Sequence, residues 1–317
     1  MGDGLLLAGG PARFARVMIL ERGTAPRSMP AEALGDDVLR PLTRPRAAIA
    51  GLPPDRTAVM GILNVTPDSF SDGGRHAAAP AAVAAAHAMA AAGADIIDVG
   101  AESTRPRAAV VDLATEQARL AAVLPGLAGL HWSIDTRKAA VMDQALGAGA
   151  ALVNDVSALG HDPAALALVA ARGCPVVLMH AQGSPATMQE APTYGDALLD
   201  VYDWLAARIA MCEAAGIARD RIIADPGIGF GKNLAHNLAL LRGLTLFHGL
   251  GVPLLLGASR KQLIARIAAG SADVAPEQRL PGSLALALHA AACGVQVVRV
   301  HDVPETVQAL QVWRAAN

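Results

Sequence analysis

The chain has few aromatic residues, few cysteines and little excess charge. Aromatic residues make up 3% of the 317 residues, and the formal net charge is −2 at pH 7. So small a charge, with no basic stripe along the chain, argues against a nucleic-acid partner. The three cysteines, Cys174, Cys212 and Cys293, are an odd number without zinc-like spacing, which excludes a closed disulfide framework. We expect them to be reduced residues that pack in the interior.

Long, strongly apolar runs are missing as well. Hydrophobic residues reach 53% of the chain, but the excess is alanine, which suits closely packed helices. The longest apolar stretches, 77–94 and 284–298, contain His87 and His289 and do not fit membrane spans of about 20 residues. Residues 1–10 lack the basic residues that open a secretory signal. We therefore expect a cytoplasmic protein without a membrane partner.

Eight short apolar runs are spaced along the chain, and almost every one ends in polar or charged residues. The runs are 59–63, 96–99, 132–134, 151–153, 176–179, 222–224, 254–256 and 297–300. Because longer Ala- and Leu-rich stretches with helical spacing separate them, they predict buried parallel strands alternating with helices. Eight such units predict an α/β fold of the (β/α)8 TIM barrel type. In that fold the active site lies at the carboxyl ends of the strands.

The domain organisation follows from length and composition. No Pro/Ser-rich or charged linker interrupts the chain after residue 57, and barrels of roughly 250 residues form one domain. We predict one barrel over residues 51–317, preceded by an N-terminal extension over residues 1–50. The extension contains a strand-like stretch at 14–20 and is too short to bury its own core. It should pack on the barrel as a cap or an extra hairpin at the closed end.

The first two strands lead into polar loops. Asn64 ends the first strand and offers a neutral oxygen of the kind that Mg²⁺ accepts. The loop after the second strand carries Arg105 and Arg107, whose planar guanidinium groups suit phosphate or carboxylate recognition. The alternatives are a plain surface connection for the first loop and a rim ion pair between Arg105 and Glu102 for the second.

Three short polar side chains, Asp135, Asn154 and Asp225, stand at three further strand ends. Carboxylates that face N–H donors, with an amide beside them, complement the edge of an aminopyrimidinone ring. Asp225 opens a glycine-rich run, 225–232, that lets the backbone approach a flat ligand on which Phe230 could stack. Its glycine spacing excludes a P-loop. The alternative for any one aspartate is a helix N-cap.

Residues at the ends of the last two strands indicate an anion-binding site. Ser259 and Lys261 open a helix after strand seven, where the helix dipole favours negative charge. Arg299 and His301 lie two residues apart on strand eight and so share a face. This part of a barrel is its usual phosphate site, so the set favours pyrophosphate. Taken singly, such residues are more often rim residues.

These motifs together resemble the dihydropteroate synthase family over residues 57–314. The matching segments are GILNVTPDSFSDGG at 61–74, ESTRP at 102–106, SIDT at 133–136, ND at 154–155, DPGIGFGK at 225–232, SRK at 259–261 and RVHD at 299–302. The resemblance implies a transferase of folate biosynthesis. In this reaction, p-aminobenzoate displaces pyrophosphate from 6-hydroxymethyl-7,8-dihydropterin pyrophosphate to give 7,8-dihydropteroate.

The resemblance also implies residue roles. The pterin site would be formed by Asp135, Asn154, Asp225, Phe230 and Lys261. The pyrophosphate site would be formed by Asn64, Arg299 and His301, with Asn64 also a ligand of Mg²⁺. The p-aminobenzoate site would be formed by Phe70, Thr104, Arg105, Pro106 and Ser259. Phe70, Thr104, Arg105 and Lys261 are the residues expected in catalysis. Sulfonamides are expected inhibitors, and a homodimer through the last helices is the expected assembly.

Some positions depart from the family pattern, and two other functions compete. Ala181 replaces a larger residue at the pterin pocket, and Arg107 stands where glycine is common. A methyltetrahydrofolate-dependent corrinoid methyltransferase would share the barrel and the pterin site but would not need the anion residues. A non-catalytic pterin-binding paralogue would lose loop residues such as Asn64, Phe70 and Thr104, which are intact here.

Overall fold

The structure is a computed structural model that describes residues 4–65, 74–103, 110–183, 188, 190–270 and 274–317. Two of the predicted loops fall mostly outside these ranges. The predicted site residues that lie outside the described residues are Phe70, Thr104, Arg105 and Pro106. Arg107, which differs from the family pattern, lies outside them as well. The other predicted site residues are all described.

Eight parallel strands form the central sheet. The strands are β5 (Ala58–Asn64), β6 (Ile96–Gly100), β7 (Trp132–Asp135), β8 (Leu152–Asp155), β9 (Val176–Met179), β10 (Ile222–Asp225), β11 (Leu255–Leu256) and β12 (Val297–Val300). Their order in the sheet is β10-β9-β8-β7-β6-β5-β12-β11. A parallel bridge between Ala224 and Leu254 joins the two ends of the sheet, and the Ala224 N–H donates to the Pro253 carbonyl at 2.9 Å. The predicted TIM barrel is confirmed.

A helix follows each strand, and an additional helix lies between β11 and β12. The helices are α2 (Gly74–Ala91), α3 (Leu113–Val123), α4 (Ala139–Gly147), α5 (Ala165–Arg172), α6 (Ala197–Ala214), α7 (Leu234–Arg242), α8 (Gln262–Ala269), α9 (Leu280–Ala292) and α10 (Val303–Ala316). The short extra helix α8 begins directly after Lys261, which is its N-cap residue. Barrels commonly bind phosphate at the amino end of such a helix.

Several strands extend into the polar residues that follow the predicted apolar runs. Asn64 pairs with Gly100, and Asp135 pairs with Asn154, in the parallel register. Backbone pairing therefore fixes these polar residues as firmly as the apolar residues before them, because ladder hydrogen bonds do not depend on the side chain. Rigid strands thus hold three of the predicted site residues.

The N-terminal extension packs on the barrel and contributes to its core. It consists of β1 (Leu5–Leu6), β2 (Arg13–Phe14), β3 (Arg16–Ile19), β4 (Arg27–Pro30) and α1 (Asp36–Thr43), with β1 paired to β2 and β3 paired to β4. Ile49 and Leu52, which follow α1, join the buried cluster that fills the closed end of the barrel. Arg22, between β3 and β4, forms ion pairs with Asp200 and Asp203 of α6. The division into an extension and a barrel domain at residue 50 stays a prediction.

Two features relate to the expectations drawn from composition, namely the state of the cysteines and the character of the helices. Cys174, Cys212 and Cys293 are all unpaired, and Cys212 is buried. Among the helices described, none combines the length and the apolar character that a membrane crossing needs.

Candidate active site

One cavity of about 480 Å³ opens at the carboxyl ends of the strands. It contains every predicted site residue that the structure describes. These residues are Asn64, Asp135, Asn154, Asp225, Phe230, Ser259, Lys261, Arg299 and His301. They come from β5, β7, β8, β10 and β12 and from the segments after β10, β11 and β12, so residues far apart in the chain are brought together by the barrel.

Asp135 is a buried carboxylate with one unused oxygen. Its Oδ2 accepts a hydrogen bond from Arg299 Nη2 at 2.6 Å, whereas its Oδ1 is buried without a partner in the described part of the chain. Burial is the main reason that the pKa of Asp135 is raised to about 7; Arg299 opposes the rise and Asp98 adds to it. The helix-cap alternative is wrong here, because the N-cap of the next helix is Lys138.

Asp225 anchors the glycine-rich run at the end of β10. Its Oδ1 accepts the Gly227 N–H at 2.7 Å. Burial raises the pKa of Asp225, and the Lys261 ammonium opposes this. Gly227 has a φ of +69°, and a Cβ there would lie 1.9 Å from the His180 carbonyl oxygen, so no other residue fits. The glycine therefore lets the run turn back close to the end of β9.

Lys261 stands beside the aromatic ring of this run. Its Nζ lies 4.2 Å from the centroid of the Phe230 ring and donates to the Ile228 carbonyl. Burial lowers the pKa of Lys261 to about 7; Asp225 opposes this and Arg299 adds to it. A lysine in this state can donate a hydrogen bond to a ring nitrogen or oxygen at neutral pH.

Arg299 is held between two carboxylates rather than standing alone. Its Nε donates to Asp98 Oδ2 and its Nη2 to Asp135 Oδ2, both at 2.6 Å. Burial alone would lower the pKa of Arg299, but Asp98 and Asp135 raise it. Of the predicted anion-binding pair, Arg299 already has two acidic partners, and the second member is a histidine. That histidine, His301, contacts Ser259, with Nδ1 and Oγ 3.1 Å apart.

Glu102 lies at the base of the second loop and is buried, with 4% of its surface exposed. It accepts hydrogen bonds from Arg137 at 3.0 Å, from Lys138 at 3.1 Å and from the Val111 N–H at 3.1 Å. Burial would raise the pKa of Glu102, but the Val111 N–H and the Lys138 ammonium lower it. Glu102 is thus buried and paired with Arg137 and Lys138 rather than exposed on the rim, whereas its predicted alternative partner Arg105 lies outside the described residues.

Sequence reasoning missed two charged residues that build the site. Asp98 lies in β6, fully buried, and binds both Asn154 and Arg299. Lys232 is buried at the end of the glycine-rich run; its Nζ donates to the carbonyls of Gly227 and Phe230 and contacts His180 Nδ1 at 2.9 Å. Burial lowers the pKa of Lys232 strongly. A charged residue inside an apolar strand was the available signal for Asp98.

Comparison with known sequences identifies the family. Residues 60–301 match the family model described as "Pterin binding enzyme". The chain is 50% identical to the dihydropteroate synthase of Escherichia coli over 260 residues, which cover 81% of this chain and 90% of that protein. It is 47% identical to the dihydropteroate synthase of Neisseria meningitidis serogroup B over 268 residues, or 82% of this chain and 93% of that protein.

Solved structures agree with this assignment. A Xanthomonas albilineans dihydropteroate synthase with 4-aminobenzoic acid has a TM-score of 0.77 and 47% identity, covering 83% of this chain and 93% of that chain. A Yersinia pestis dihydropteroate synthase with a sulfonamide drug complex has a TM-score of 0.77 and 42% identity, covering 95% and 99%. A Xanthomonas albilineans dihydropteroate synthase in complex with 7,8-dihydropteroate has a TM-score of 0.76 and 44% identity, covering 86% and 98%. The chain belongs to the pterin binding enzymes and, among them, to the dihydropteroate synthase family.

Proposed function

We infer that the protein is a dihydropteroate synthase, a transferase of folate biosynthesis. It joins 6-hydroxymethyl-7,8-dihydropterin pyrophosphate to p-aminobenzoate and releases pyrophosphate. The observation that carries this is the polar set around one cavity, formed by the buried Asp135, Asn154 and Asp225 with the half-buried Lys261. Burial removes water from these carboxylates and so destabilises their charged form. The N–H donors of a pterin ring would replace the lost water and stabilise that form.

The geometry suits a displacement with a loose transition state. The nitrogen lone pair of the aromatic amine forms a bond to the 6-methylene carbon, while the bond from that carbon to the pyrophosphate oxygen breaks and the leaving group keeps its electrons. The amine then loses a proton to solvent, so no strong base is needed. Positive charge that develops on the ring would lie beside Asp135 and Asp225, and the leaving anion beside Arg299 and His301.

We propose Mg²⁺ as the metal, held on the protein by Asn64. The Asn64 side chain lines the cavity and makes no hydrogen bond to another residue that the structure describes, so its oxygen can accept a metal. Within the described ranges no group of His, Cys, Asp or Glu side chains could hold a metal by itself. Asn64 as the one protein ligand fits an ion that takes most of its ligands from substrate phosphate and water. The ion would neutralise charge on the leaving group.

Chelation should abolish activity, and added Mg²⁺ should restore it. Because one amide oxygen is a weak site, the protein alone should bind the ion weakly, whereas protein with pyrophosphate should bind it much more tightly. Calorimetric titration with Mg²⁺ in both states checks this. Tight binding without pyrophosphate would contradict the proposed ligand set.

We propose that the p-aminobenzoate site is formed by Phe70, Thr104, Arg105, Pro106 and Ser259. Of these, Ser259 is described, and it lines the cavity next to His301. Sulfonamides resemble p-aminobenzoate, and a related enzyme has been crystallised with a sulfonamide drug. Competitive inhibition by a sulfonamide, relieved by excess p-aminobenzoate, is therefore expected; inhibition competitive with the pterin substrate instead would contradict this site.

The proposal extends to location and assembly. Unpaired cysteines favour a reducing compartment, which supports a cytoplasmic enzyme. The resemblance to the family implies a homodimer through the last helices. Light scattering of the purified protein at several concentrations tests the dimer, and a mass of one chain throughout would exclude it.

One assay tests the function itself. Purified protein is supplied with Mg²⁺, the pterin pyrophosphate and labelled p-aminobenzoate, and dihydropteroate is scored. Product formation is expected. Pterin binding without product would indicate the non-catalytic paralogue, whereas methyl transfer from methyltetrahydrofolate would indicate the corrinoid enzyme. The anion residues Arg299 and His301 in the same cavity favour the synthase over both.

A further inference from the structure

Asp98 is a carboxylate at the centre of the barrel that no substrate role uses. It lies in β6, is fully buried and is not among the residues that line the cavity. Three side chains from three other strands donate hydrogen bonds to it. The donors are Ser133 Oγ of β7 at 2.6 Å, Asn154 Nδ2 of β8 at 2.8 Å and Arg299 Nε of β12 at 2.6 Å.

The bond to Asn154 decides which way that amide faces. Asp98 accepts from Ser133, Arg299 and Asn154 Nδ2, so the amide turns its NH₂ group toward Asp98. The Asn154 Oδ1 then accepts nothing from the residues that the structure describes, and Asn154 borders the cavity. Asn154 therefore offers the cavity an acceptor and its second N–H in one fixed arrangement.

The bond to Arg299 fixes the guanidinium in the same way. With Nε on Asp98 and Nη2 on Asp135, two edges of the planar fork are occupied. Because Asp98 and Asp135 hold different nitrogens, Asp98 would still hold Arg299 if the Asp135 carboxylate turned to a ligand. The charge that faces the cavity would then stay in place.

We propose that Asp98 is a positioning residue for pterin recognition: it sets the donor–acceptor order that Asn154 presents to the ring and holds Arg299 at the leaving-group end. This rests on the proposed synthase function for the identity of the ring. Asp98 acts through these two side chains and touches no substrate. The pterin is the ligand whose binding depends on it, and p-aminobenzoate is not.

The variant Asp98→Asn keeps the size of the side chain but removes the constraint. An amide at residue 98 can donate or accept, so Asn154 is free to turn, and Arg299 loses a charged partner. The KM for the pterin pyrophosphate should rise roughly 10-fold or more, as expected for loss of charge-assisted hydrogen bonds. The KM for p-aminobenzoate should change by less than about twofold on the same reasoning.

Ser133→Ala is the matched control. It removes one hydrogen bond from the same carboxylate, at the same depth, without touching Asn154 or Arg299. It should lower the melting temperature and leave the KM for the pterin substrate within about twofold of the wild type. If Ser133→Ala raised that KM as much as Asp98→Asn, packing around the carboxylate rather than orientation of its partners would explain the effect, and the proposal would fail.

A double variant covers the case in which Asp98→Asn does not fold. Asp98→Asn with Asn154→Asp restores an amide–carboxylate pair in reversed order. Stability should recover relative to Asn154→Asp alone, whereas affinity for the neutral ligand 6-hydroxymethylpterin, measured by calorimetry, should stay at least about 10-fold weaker than in the wild type. Recovery of that affinity would overturn the proposal, as would an unchanged pterin KM in folded Asp98→Asn.

The wild-type protein run in parallel separates the two claims. A wild type that binds 6-hydroxymethylpterin but makes no dihydropteroate removes the proposed function, and the calorimetric comparison then still decides the role of Asp98.

Discussion

The two halves of the barrel interior differ in chemistry although the same strands build both. Among the described residues, ten buried apolar side chains form the cluster at the closed end, including Ile49 from the N-terminal extension and Leu52 just after it. Two residues further along, on the same faces of four strands, the interior becomes polar. The pairs of apolar and polar residues are Ile96 and Asp98, Leu152 and Asn154, Ile223 and Asp225, and Val297 and Arg299. Residues two apart on one strand face are about 6.6 Å apart, so the charged layer lies directly above the apolar layer.

This difference separates stability from function. The apolar layer gains free energy from burial, whereas each charge in the polar layer loses hydration that its partners must replace. The raised pKa values of Asp135 and Asp225 have this cause. We therefore expect changes in the lower layer to alter stability and changes in the upper layer to alter substrate binding.

Arg299→Ala should break this separation and have the largest effect. Arg299 is the counter-ion of two buried carboxylates, Asp98 and Asp135, so removing it strands them and should cost about 3–5 kcal/mol of stability. Activity should fall as well, because the leaving anion loses its cation. Denaturant unfolding and steady-state kinetics on the same sample check both. Arg299→Lys, which keeps the charge, is the control and should recover part of the stability; full stability in Arg299→Ala would contradict the account.

Met60→Ala tests the lower layer. Met60 is fully buried in the closed-end cluster, and truncating it should cost about 2–5 kcal/mol of unfolding free energy through lost burial and a cavity. The KM values for both substrates should not change below the unfolding temperature, because the site lies one layer above. Urea unfolding gives the first quantity and kinetics at low temperature the second. A raised pterin KM would mean that the two layers are coupled.

Asp225→Asn and Asp135→Asn test the upper layer. Each replaces an acceptor that should face ring N–H groups with an amide that can donate toward them, which should cost about 1–3 kcal/mol in kcat/KM, or roughly 5- to 150-fold. Stability should hold, since burial already disfavours both carboxylates. Wild-type turnover in either variant would remove that residue from the pterin site.

The pH dependence should be the smallest effect. The pKa of Asp135 is about 7, well above the usual value near 4, and ring N–H groups would lower it again on binding. Pterin affinity should therefore fall as the pH drops below 7, by roughly three- to tenfold between pH 7 and pH 6. For the protein alone the sign is opposite: the folded state keeps this proton up to about pH 7, so protonation favours folding at lower pH. Pterin KM measured from pH 6 to 8 checks this, and Asp135→Asn should lose the acid limb.

The sequence predicts the barrel and most of the site because both follow from local patterns. Apolar runs locate the strands, and polar residues at their ends locate Asp135, Asn154 and Asp225. Partner choice does not follow in this way. From the sequence, Asp98 is one charge in an apolar strand. In the barrel, β8 and β12 each lie two strands away from β6, and their side chains Asn154 and Arg299 meet Asp98 in the interior. The sequence alone does not show that Arg299 lies between two carboxylates.

A similar limit applied to Glu102. Its partners Arg137 and Lys138 come from the next unit of the barrel, about 35 residues away, as the hydrogen bonds record. Only the relative placement of the two units shows that this carboxylate is buried. Non-local ion pairs therefore had to be read from the structure.

The most direct test of the division between the two layers is a crystal structure of the protein with 6-hydroxymethyl-7,8-dihydropterin pyrophosphate. The account predicts the ring in the upper layer, with its N–H groups about 3 Å from the carboxylates of Asp135 and Asp225 and the pyrophosphate beside Arg299. A ring bound elsewhere, with the Asp135 and Asp225 carboxylates facing only their protein partners, would contradict it.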